Sequence, residues 1–98
     1  MKLYVVINQR GRAYQKSLPL EAQQDWNTHA TFMDALVDDG FVVLGGPLEG
    51  TDEVLLIVRA SSPEKITRRL EHDPWHKSGL LRIGRILPWT LRLGKLPA

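Results

Sequence analysis

The chain has no cysteine in its 98 residues, which excludes disulfides, thiolate zinc sites and cysteine nucleophiles. No apolar run approaches the roughly 18 residues of a membrane-spanning helix, so no membrane partner is expected. The apolar start Leu3–Ile7 is too short for a signal peptide and reads as a strand, which makes the cytoplasm the expected location. The eight glycines form neither a GxGxxG nor a GxxxxGKS/T pattern, and no nucleotide cofactor is expected. Aromatic residues are few, and none falls in the apolar run Val54–Val58. That absence argues against an RNA-recognition motif, whose central strands stack bases on aromatics.

What remains is one domain spanning residues 1–98, too short for two cores, with the 43% apolar and 24% charged residues of an ordinary globular protein. Residues 1–58 hold four Lys/Arg against eight Asp/Glu, whereas residues 59–98 hold nine against three. The basic residues are scattered over helix and strand. A solvated basic face is the plainer reading, and nucleic acid is disfavoured.

Residues 2–8 alternate as a strand, with apolar side chains on both faces. A polar loop from Arg10 reaches Pro19, which suits a first helical turn. Ala22, Trp26, His29/Ala30, Met33 and Leu36/Val37 then recur at helical spacing, and Gly40 stops the run. Phe41–Leu44 reads as a second strand closed by Gly45-Gly46-Pro47, and Val54–Val58 as a third, antiparallel to it across a short connection. Ser61-Ser62-Pro63-Glu64 opens a second helix, with either serine able to cap and Ser61 and Glu64 matching a capping box. Ile66, Leu70 and Asp73 share one face of that helix, and Pro74 ends it at Asp73. After a loop through Trp75, His76 and Gly79, Leu81–Leu93 reads as a last strand, bulged or bent at Gly84 and Pro88.

The order β-α-β-β-α-β gives an α+β, ferredoxin-like fold, a four-stranded antiparallel sheet with two helices on one face. The other face should be wet, yet the first and third strands are apolar on both sides. A second copy packed sheet against sheet resolves the conflict, so a homodimer is expected.

Two ionisable residues, His29 and Asp73, fall on apolar stripes. Burying either alone costs several kcal/mol, so they are best explained if they meet. A buried His–Asp pair can hold an imidazole in one tautomer for proton transfer. A core histidine bonded to a carbonyl, and an Asp-Pro turn, are the plainer alternatives. His72, Asp73 and His76 suggest metal-ligand spacing, but Pro74 interrupts the helix that would align them, and no metal is expected. Gly45-Gly46 reads equally as a turn and as a place where a ligand approaches backbone N–H groups. Trp75 reads equally as core and as the wall of a site.

Taken in order, several pieces resemble the YCII-related (YciI-like) domains of the dimeric α+β barrel superfamily. These are Leu3-Tyr4-Val5-Val6, His29 with Phe32-Met33, Leu36 and Gly40, then Gly45-Gly46-Pro47-Leu48, Asp73-Pro74-Trp75 with Gly79, and Pro88-Trp89. The resemblance covers nearly the whole chain. It implies a small homodimer with a His–Asp dyad in an active site, formed here by His29 and Asp73. The family includes a dehydrochlorinase of chlorinated-aromatic breakdown. The expectation is then cofactor-independent acid–base chemistry on a small molecule, of elimination or isomerisation type. His29 and Asp73 would be catalytic, and Gly45, Gly46 and Trp75 would bind substrate. A non-catalytic binding or accessory protein on the same fold is the alternative.

Overall fold

Alternating side chains make Lys2–Arg10 a strand, β1, whose even positions Tyr4, Val6 and Asn8 are buried. The structure, a computed structural model, describes residues 1–97. The other strands are β2 (Val42–Pro47), β3 (Glu53–Ala60) and β4 (Leu81–Trp89); the helices are α1 (Trp26–Asp38), α2 (Pro63–Leu70) and α3 (Pro74–Ser78). The sheet is antiparallel in the order β2-β3-β1-β4, as the ferredoxin-like arrangement requires. One main core fills the space between sheet and helices. Tyr4, Val6, Leu56 and Val58 of the sheet meet Leu36 of α1 and Ile66 and Leu70 of α2 there.

Four local expectations are corrected. The first helix does not run unbroken from Pro19. A single 3-10 turn at Leu20–Ala22 is followed by a break, and α1 starts at Trp26. Gln23 stabilises the break: its buried side-chain amide donates to Gln15 O and Leu18 O and accepts from Gln15 N–H. Second, β2 does not close at Gly45. It pairs on through Pro47, because Gly45 lies against Leu56, whose Cδ2 would sit 2.6 Å from any added Cβ. As an edge strand, β2 also tolerates Pro47. Third, the Ser61–Glu64 capping box is not used: of the two candidate serines it is Ser62 that caps α2, accepting from Lys65 N–H at 3.3 Å. Fourth, β4 ends at Trp89 rather than Leu93, since Trp89 pairs with Leu3 and β1 begins at Lys2. The bulge expected at Gly84 is present, where the β1–β4 register shifts between Ile7 and Asn8.

Asp39 stands just beyond the C-terminus of α1, where the helix dipole disfavours a carboxylate. It is held there by an ion pair with Arg69 and by the Phe41 N–H at 3.0 Å. The Arg69 bond, then the Phe41 bond, keep its carboxyl below the usual carboxylate range.

The sheet face away from the helices is apolar across its middle, with Arg59 and Arg85 on the same face beside Leu3 and Ile7. Leu44, Ile57, Val5 and Leu87 form one row across all four strands. Leu44, Leu87 and Trp89 on that face are 49%, 41% and 38% exposed in the single chain.

Candidate functional site

His29 lies in the first turns of α1 on its buried side, and Asp73 comes from the start of α3, with no solvent exposure. The two meet: His29 Nδ1 lies 2.8 Å from Asp73 Oδ1. Asp73 is reached differently from the sequence expectation. It does not continue the face of α2, which ends at Leu70. It is the N-cap of α3, a five-residue helix where the sequence suggested a loop, and its Oδ1 accepts the Trp75 N–H at 3.0 Å. Pro74 is the reason. It is unfavourable inside a helix but well placed at the first position of a new one.

An ionised carboxylate only accepts, so the proton between the pair belongs to His29 Nδ1. In the neutral imidazole Nε2 is then an acceptor. Among the described residues the side-chain bond of His29 is the one through Nδ1, and His29 borders a cavity of about 220 Å³ between α1, the sheet and α3. Trp75 stacks flat on the imidazole, with centroids 3.8 Å apart and planes at 4°. Its own ring is fixed by Nε1 donating to Gln24 O at 2.7 Å. Trp26 packs at a tilt against both rings, at 6.0 Å from His29 and 5.8 Å from Trp75. The imidazole is therefore held by a carboxylate on one nitrogen and by an indole on one face. Gly45 and Gly46 border the cavity from β2, and Trp75 borders it from α3.

His76 was missed as a member of this cluster. Its side chain is 8% exposed, and its Nε2 lies 3.9 Å from Asp73 Oδ2. Among the described residues neither atom has a hydrogen-bond partner. Burial holds the His76 imidazole below the usual histidine range; Asp73 pulls the other way, and His29 adds to the depression. The sequence signal was the i, i+3 spacing from Asp73, which matters only once α3 is seen to form. Among the described residues, no group of three His, Cys, Asp or Glu is arranged to hold a metal ion.

The family model for the YCII-related domain matches residues 1–90. The chain belongs to the YCII-related domain family. No curated protein sequence matches it. This YCII-related domain is similar in structure to the 5-chloro-2-hydroxyhydroquinone dehydrochlorinase of Burkholderia phenoliruptrix, solved as a complex with 2,5-dihydroxybenzoquinone. The TM-score is 0.62 at 22% identity, covering 94% of this chain and 95% of that one. The likeness establishes the fold. Among the described residues of the YCII-related domain, no helix is long and apolar enough to cross a membrane.

Proposed function

We propose that this protein is a small-molecule enzyme in which His29 transfers a proton and Asp73 positions it, without an organic cofactor. The observation that carries the reading is the 2.8 Å Nδ1–Oδ1 contact in a histidine that borders a ring-sized cavity. His29 Nε2 takes a proton from the substrate, and Asp73 balances the imidazolium that forms. In an elimination, the electron pair of the broken bond to hydrogen becomes a new π bond, and the leaving group departs with its own bonding pair. In an isomerisation, the imidazolium returns the proton to a different atom. Gly45, Gly46 and Trp75 shape the site. The structural likeness to an enzyme that removes chloride from a hydroxyhydroquinone supports the elimination class.

The working form in this reading is a cytoplasmic homodimer packed through the row Leu44–Ile57–Val5–Leu87. A stable interface buries about 800 Å² per subunit, and an apolar sheet face of four strands can supply it.

The test is turnover of chlorinated hydroxyhydroquinones and cyclic enols, followed by chloride release and by hydrogen–deuterium exchange in heavy water. Wild-type turnover should fall by roughly 10²–10⁴-fold in His29→Ala, the usual worth of a positioned acid or base. Asp73→Asn should be slowed as well. Equal rates for the wild type and His29→Ala would leave the pair a structural one.

A further inference from the structure

The cavity wall opposite α1 carries two polar side chains that the proton-transfer reading does not use. Asn8 continues the core-facing series Tyr4, Val6 of β1, where a third apolar residue would pack best. It is 2% exposed and borders the cavity, and its Oδ1 is sealed from solvent without a partner among the described residues. The amide nitrogen is the end left to reach the cavity, as a donor. Buried polar groups are seldom left unpaired because that costs stability, so the amide nitrogen, at the end that borders the cavity, is the group a ligand would pair.

Two residues further along the same strand, Arg10 also borders the cavity. Its guanidinium lies 4.4 Å above the Tyr14 ring, a cation–π contact that positions it. Among the described residues it has no carboxylate partner. Much of the remaining wall is apolar, with Trp26, Met33, Val42 and Leu56 among its members. An apolar slot with donors and a positive charge at one edge suits a flat molecule with one charged oxygen.

We propose that Asn8 and Arg10 are the ligand-reading edge of this cavity, and that it takes a one-ring conjugated anion, an enolate or phenolate, with the charged oxygen seated between them. The volume of about 220 Å³ admits one ring with substituents. This rests on the cavity being the substrate site, but its test is binding and does not need turnover.

The probes are 4-nitrophenol, ionised above neutral pH, and its uncharged ether 4-nitroanisole, each titrated calorimetrically. The phenolate should bind about tenfold or more tighter than the ether, as a charge-assisted hydrogen bond implies. Arg10→Met should bring phenolate binding down to that of the ether and leave the ether unchanged. Asn8→Leu should weaken the phenolate and raise the melting temperature, because it removes an unsatisfied amide; an asparagine kept for structure would lower it. His29→Ala should keep the preference for the anion while losing turnover, which separates this proposal from the catalytic one. Equal affinities for the two probes, no phenolate binding at millimolar concentration, or an unchanged preference in Arg10→Met would overturn it.

Discussion

Replacing Asp73 by alanine orphans two donors at once. Its Oδ1 accepts the His29 Nδ1–H at 2.8 Å and the Trp75 N–H at 3.0 Å, and the residue has no solvent exposure. Each buried donor left without a partner costs about 1–3 kcal/mol. The Trp75 bond is also the N-cap of α3, so the cap is already inside that figure. The expected loss is about 3–5 kcal/mol, the range found when one partner of a buried pair is removed. Against a total stability of about 5–15 kcal/mol this is a large share, and the variant should be close to unfolding at ordinary temperatures. Asparagine keeps the shape and one acceptor oxygen for both donors. It also sets an amide N–H where Oδ2 now faces His76 Nε2 across 3.9 Å with no partner. Asp73→Asn should therefore cost less than about 1.5 kcal/mol, a single altered hydrogen bond. Urea unfolding at fixed protein concentration reads both variants, since Trp75 and Trp26 pack against His29 and report its surroundings by fluorescence. Equal losses for the two variants, or a loss under about 1 kcal/mol for Asp73→Ala, would refute the reasoning.

The buried His76 should make stability depend on pH. Its folded value is depressed, so the unfolded chain binds the extra proton first: stability is full above the ordinary value of 6.5, falls as pH drops below it, and levels once the folded value is passed. Urea midpoints across that window should flatten in His76→Leu, and an unchanged slope would contradict the assignment. On the outer sheet face, Val5 sits between Ile57 and Leu87. Sedimentation equilibrium at micromolar concentration should give a dimer for the wild type and a monomer for Val5→Lys, and a monomeric wild type would contradict the sheet-to-sheet interface.

The fold was legible because its signals are periodic. Alternation from Leu3 to Ile7, the stripe through His29, Met33 and Leu36, and the stop at Gly40 each follow from one face being buried. The meeting of His29 and Asp73 was legible for an energetic reason, since two ionisable groups in one small core are cheapest together. Local sequence left the route to that meeting hidden. Pro74 is as well suited to starting a helix as to ending one, and only the packing of Trp75 against His29 decides which. The break at Gln23 was hidden for a similar reason: its amide matches three backbone groups that only the folded loop brings together. Asn8 stood in plain view as a polar residue in an apolar alternation. Its meaning depends on a cavity that the strand pattern alone does not reveal.

The central claim is that Asp73 fixes His29 with its proton on Nδ1 and leaves Nε2 as the base facing the cavity. Nitrogen-15 NMR of the imidazole rings at mildly alkaline pH reads this directly, with His29→Ala identifying the signals. The account predicts a neutral His29 in the Nδ1–H form, with Nε2 the nitrogen that shifts when 2,5-dihydroxybenzoquinone is added. A His29 protonated on Nε2, or an Nε2 signal indifferent to that compound, would contradict it.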